Sequence, residues 1–178
     1  MLACLLVPAV WYDIVNRRIP NRLITFGLIA GIVVNVVGAE VANFEIGGMS
    51  GLFRALSGGI VGLLILLPLY LFRAMGAGDV KLMATIGVFL GPMPTLGAAL
   101  LAFVAGGVLS LGAALWSRSL SHVLANLRLM IMLALSGRSS GLSLHDVQTT
   151  GRLPYAIAIA VGTALQLWLV TQETWPFK

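Results

Sequence analysis

Asp13 and Asp79 are the residues of this chain best suited to chemistry. Each is a carboxylate at the edge of a long apolar run. A charged side chain at membrane depth is costly enough that such a residue is read first as functional. Asp79 stands in the segment Gly76-Ala77-Gly78-Asp79-Val80-Lys81; Asp13 ends the first apolar run and opens a segment holding Asn16, Arg17, Arg18, Ile19, Pro20, Asn21 and Arg22. We expect the two aspartates to face each other in one site. Two carboxylates within hydrogen-bond reach cannot both ionise easily, so the pair shares a proton. The ionised member can take a proton from water while the neutral member polarises a carbonyl. That is peptide hydrolysis by general acid–base catalysis, with no metal, cofactor or covalent intermediate. Gly76 and Gly78 are expected to adopt torsions closed to other residues and to let an extended substrate approach closely. The plainer reading is that each aspartate caps a helix, Asp79 one that starts at Val80. Lys81 reads equally well as site electrostatics or as a topology signal.

The elements that must position this pair are membrane helices. The chain has 178 residues, 59% of them hydrophobic and only 10% charged. A soluble domain is about 25% charged. The net charge of +5 does not imply nucleic acid, because no basic residue lies in a nucleic-acid-binding motif and no aromatic platform accompanies them. Cys4 is the only cysteine, and His122 and His145 lie far apart, so neither a disulfide nor a metal site is expected. No cleavable signal peptide is expected either, since the start is not basic and no small-residue cleavage site precedes Asp13.

Six apolar spans are expected. Residues 1–12 reach only about 18 Å as a helix, short of the ~30 Å hydrocarbon core. Either the chain starts upstream, or the helix runs on through Asp13 towards Asn16 and Pro20 ends it near Ile19. The remaining spans are residues 23–38, 52–72, 82–90, 95–116 and 153–171, with a central loop at 73–81. Gly58, Gly59 and Gly62 should allow close helix contact. Residues 117–152 should form a cytoplasmic region with an amphipathic interfacial helix and a mobile Ser/Gly-rich stretch. Placing Asp13 on the cytoplasmic side puts Arg17, Arg18, Arg22, Arg73, Lys81, Arg118, Arg128, Arg138 and Arg152 there. Only Arg54 and Lys178 of the eleven basic residues fall outside. The positive-inside rule selects this orientation, with both termini periplasmic. The expected fold is therefore an all-α polytopic bundle in one domain, residues 1–178, with Asp13 and Asp79 at the same depth.

Asp13 followed by Arg17-Arg18-Ile19-Pro20-Asn21, then Gly76-Ala77-Gly78-Asp79-Val80-Lys81, then Leu153-Pro154-Tyr155 and an apolar run to Gly162, resembles the type IV prepilin peptidases, the bacterial GxGD aspartyl proteases. A bare GxGD is a weak signal; its combination with the Ile-Pro-Asn segment in order and spacing is a strong one. The resemblance implies an inner-membrane enzyme that removes the short basic leader of prepilins and pseudopilins at the cytoplasmic face and serves a pilus or secretion assembly machine. It implies catalytic roles for Asp13 and Asp79, with Gly76, Gly78, Lys81, Arg18, Pro20 and Asn21 as motif residues. Larger members add a zinc-binding cysteine domain and N-methylate the product. This chain has one cysteine and no such insertion between Asp13 and Leu23. It is similar to the compact members serving tight-adherence, Flp-type pili, and methylation is not among what the resemblance implies. Val15 stands where many members carry Arg.

Two other classes fit the composition. A transporter could use Asp13 and Asp79 as a proton or cation path, although transporter sites usually lie near the midplane. A non-catalytic membrane subunit of a pilus or secretion machine would keep the spans without needing both aspartates.

Overall fold

The computed structural model describes residues 2–41, 48–72, 75–116, 155–172 and 176–177. Among these the chain is all-helical, with six helices and no strand: α1 (Leu2–Asn16), α2 (Asn21–Val41), α3 (Met49–Leu71), α4 (Ala77–Leu90), α5 (Pro92–Trp116) and α6 (Tyr155–Val170). The expected region at 117–152 lies outside the described residues, as do Arg73 and the Leu153-Pro154 pair. The chain divides into two units, Met1–Gly106 with Pro154–Lys178, and Gly107–Leu153. In the second unit the described residues are the last turns of α5.

The first unit is built around α4. Almost every residue from Asp79 to Leu90 is buried, and α1, α2, α3 and α6 all pack against it. The other helices show the reverse pattern. Val7, Trp11 and Ile14 of α1, Phe26, Ile29 and Val33 of α2, Leu100 and Val104 of α5, and Val161, Leu165 and Trp168 of α6 are all exposed. These outward stripes have helical spacing and are apolar where a soluble protein would be polar, so water is a poor solvent for the bundle. By length and hydropathy, α3 and the Pro92–Ala113 part of α5 are long and apolar enough to cross a membrane; α1, α6 and Asn21–Val37 of α2 are apolar but shorter.

The α3–α4 contact is a glycine seam. A Cβ at Gly58 would lie 2.1 Å from the Gly87 carbonyl oxygen, and one at Gly62 would lie 2.5 Å from that of Met83. The backbones touch because no side chain intervenes. Polar groups fasten the C-terminal end of α4. Arg54 Nη2 donates to the Leu90 carbonyl at 3.2 Å, placing a cation on the negative end of the helix dipole. Asn35 Nδ2 of α2 donates to Val88 O at 2.9 Å and to Gly31 O at 3.0 Å. Interhelical hydrogen bonds in membranes average about 0.6 kcal/mol, so Asn35→Ala should lower the unfolding free energy by about that much. Equilibrium unfolding in detergent would read it, and a loss of several kcal/mol would show that Asn35 does more than tie α2 to α4.

Several boundaries differ from expectation, two of them at the motif segments. α1 does run through Asp13, but it stops at Asn16 and not near Ile19. Arg17 has φ 51°, a left-handed residue that ends a helix, and its N–H still donates to Asp13 O at 3.0 Å. Pro20 instead starts α2, its carbonyl accepting from the N–H groups of Leu23 at 3.1 Å and Ile24 at 3.4 Å. The expected loop at 73–81 is shorter, because α4 begins at Ala77. Gly91 (φ 84°) and Pro92, a favoured first helical residue, separate α4 from α5.

Candidate active site

Gly76 is the N-cap of α4, in extended backbone conformation (φ −77°, ψ 149°) with no side-chain cap. Asp79 therefore lies inside the first turn and is not the cap of a helix starting at Val80. Its N–H donates to Gly76 O at 3.2 Å, and its carboxylate sits where the helix dipole favours negative charge. Neither Gly76 nor Gly78 uses a torsion closed to other residues, since the positive-φ glycines among the described residues are Gly48 and Gly91. The case for glycine at position 76 is space. A Cβ at Gly76 would lie 3.3 Å from Asp79 Oδ2, so any side chain there would crowd the carboxylate. A Cβ at Gly78 would meet Ile19 at 3.5 Å, an ordinary contact, which shows Ile19 resting on the first turn of α4.

Asp13 comes from the last turn of α1. It is 8% exposed and Asp79 is 9% exposed, and they are the buried charged residues among those described. Asp13 Oδ2 accepts a hydrogen bond from the backbone N–H of Ala156 at 3.1 Å. Ala156 is the second residue of α6, so this amide is one of the helix's orphan donors, and the positive end of α6 faces the carboxylate. Asp79 lies within electrostatic range of Asp13. Tyr155 also feels Asp79, and Arg17 stands in electrostatic range of Asp13. The Tyr155 ring fits against α5 where Gly106 leaves room; a Cβ there would lie 2.7 Å from it.

The other motif residues divide. Lys81 Nζ donates to Asn21 Oδ1 at 3.2 Å, so the two motif segments are joined directly at the starts of α2 and α4. Pro20 lies between this link and the Ile19 contact with Gly78. Arg18 is exposed in the turn after α1 and takes no part in these contacts. The candidate site thus holds two buried carboxylates, one held by a helix N-terminus and one carried in a helix first turn, with the Tyr155 phenol in electrostatic range of Asp79. Among the described residues no group of three His, Cys, Asp or Glu could hold a metal. Tyr155 and Ala156 were not among the sequence candidates. Ala156 contributes a backbone amide, which leaves no side-chain signature; the only signal was that Leu153-Pro154-Tyr155 matched a family segment.

The sequence pattern of the type IV leader peptidase family matches residues 1–111, a stretch that contains Asp13, the Ile19-Pro20-Asn21 segment and Asp79. No curated protein and no solved structure matched the chain. The matched family is one of peptidases, and its pattern covers more than half of the sequence. The chain belongs to the type IV leader peptidase family.

Proposed function

We propose that this protein is a compact prepilin leader peptidase with Asp13 and Asp79 as its catalytic dyad. The observation that carries the reading is that two buried carboxylates, on α1 and α4 and each on a different structural support, lie within electrostatic range of one another. In the reaction, the ionised carboxylate takes a proton from water as the oxygen attacks the scissile carbonyl. The protonated partner donates to the carbonyl oxygen, and a proton then passes to the leaving amine. The Ala156 amide holds Asp13 Oδ2 in place.

The substrate is a prepilin or pseudopilin with a basic leader and an apolar helix. That helix lies in the bilayer beside the spans, so membrane binding performs much of the positioning. The bundle crosses the inner membrane about six times with both termini periplasmic and the dyad at the cytoplasmic face. The clustering of Arg17, Arg18, Arg22 and Lys81 around the dyad end of the described helices supports this orientation. The product would enter pilus or secretion assembly.

The test is co-expression with a prepilin from the same host, following the pilin's mobility in membranes. The wild-type chain should shorten the pilin, and a chelator should leave the rate unchanged. Failure to process any prepilin of the host, or loss of activity with a chelator and its recovery with zinc, would contradict the proposal.

A further inference from the structure

The α2–α3 pair is closed at one end and open at the other. At the closed end Gly48 N–H donates to Val36 O at 3.3 Å. Val88 of α4 is wedged between the two helices at the level of Gly31 and Gly59: a Cβ at Gly31 would lie 2.8 Å from Val88 Cγ1, and one at Gly59 would lie 2.8 Å from Val88 Cγ2. Above this floor α2, α3 and α4 line a groove of about 710 Å³, within the size range of ligand sites. Ile24, Leu28 and Ile32 form one wall and Ile60, Leu63 and Leu64 the other. Its mouth holds Asn21 and Lys81.

Three features define the occupant. The groove follows α2 from Asn21 to Ile32, about 16 Å at 1.5 Å per residue. That is close to the depth of one leaflet, half of the ~30 Å hydrocarbon core. At its far end Val88 sits between α2 and α3, which favours a ligand of one leaflet's length over a helix crossing the whole bilayer. Its mouth carries a cation. Lys81 is exposed, and among the described residues its ammonium makes one hydrogen bond, to Asn21, leaving two of three donors. Among the described residues no carboxylate lines the groove. Asp79, two residues from Lys81, is turned about 200° away around α4, so the groove is separate from the dyad.

We propose that the groove binds one anionic phospholipid of the leaflet on the dyad side. Its phosphate sits on Lys81 and an acyl chain lies between Leu28 and Leu63. The bound lipid ties the start of α2 to the first turn of α4, which carries Asp79. This rests on the chain being membrane-embedded and not on its catalytic assignment.

The test uses the purified full chain with equal amounts of phosphatidylglycerol and phosphatidylcholine of the same acyl composition, with retained lipid read by native mass spectrometry. Wild type should keep phosphatidylglycerol over phosphatidylcholine by about fivefold, the factor for one lysine at an anionic surface. Lys81→Gln should bring that ratio close to one. Leu28→Trp, which fills the trough, should lower retention of both lipids. A wild-type ratio near one, or variants that retain lipid as wild type does, would overturn the proposal. So would displacement of the lipid by equimolar prepilin, which would assign the groove to a polypeptide.

Discussion

Asp79→Asn should abolish prepilin cleavage, and Asp13→Asn should do the same. Asparagine keeps the shape of the side chain and removes its ability to gain or lose a proton. Positioned proton transfer contributes about 100- to 10,000-fold, and each variant should lose at least that much. Both replacements would still fit. In Asp13→Asn the amide oxygen can accept from the Ala156 N–H as Asp13 Oδ2 does at 3.1 Å. In Asp79→Asn the new side chain would occupy the same first-turn position of α4. Membrane insertion and thermal stability should therefore stay near wild type, which separates lost chemistry from lost fold. The double variant gives a sharper result. Groups that act as a unit are grossly non-additive, so Asp13→Asn with Asp79→Asn should be no slower than either single change. Additive losses would mean that the carboxylates work in separate steps or separate places. Substantial processing by either single variant would remove the dyad from the mechanism.

Much of this site was legible because membrane burial makes charge rare. In a chain with six acidic residues, two flanked by apolar runs stand out, and the motif spacing singles out the same two. The all-helical fold was legible for a related reason, since apolar runs in a bilayer must satisfy their backbone internally. What the sequence hid were relations between backbone groups. The start of α4 was misread because Gly76, Gly78 and Asp79 are poor helix formers on propensity, yet burial on four sides overrides that weak preference and extends the helix back to Ala77. The torsional argument for the motif glycines failed because a glycine has two properties, freedom and small size, and sequence does not say which is in use. At Gly76 it is size, set by Asp79 Oδ2. The Lys81–Asn21 bond joins two motifs that were read separately, and the Ala156 amide could be found only once α6 was seen to point at Asp13. The first apolar run does continue as helix through Asp13, which lies in the last turn of α1, although α1 stays shorter than α3 and α5.

Gly58→Leu should unfold or inactivate the protein, while Gly107→Leu should do neither. Both glycines are in helices, so the substitution gains helix propensity at each, about 1 kcal/mol on the host–guest scale. The difference lies in what the new side chain meets. At Gly58 even a Cβ would lie 2.1 Å from Gly87 O and 2.8 Å from Gly91 Cα. Both are backbone atoms and cannot rotate aside, so α3 must lift from α4. Overpacking of this kind costs about 3 kcal/mol or more. The damage also reaches the dyad, because α4 is the element on which Asp79 is built and Gly87 is only about 12 Å along it. At Gly107 nothing among the described residues lies within 4 Å of the new Cβ, so the leucine meets no such neighbour. Thermal unfolding in detergent beside the membrane cleavage assay would read both effects. Gly87→Leu should match Gly58→Leu, since its Cβ would lie 2.1 Å from Gly58 O. Asn35→Ala, which removes two side-chain hydrogen bonds and leaves the seam intact, should fall far below either. If Gly58→Leu and Gly107→Leu behaved alike, the close approach of α3 and α4 would not be what holds the first turn of α4, and with it Asp79, in place.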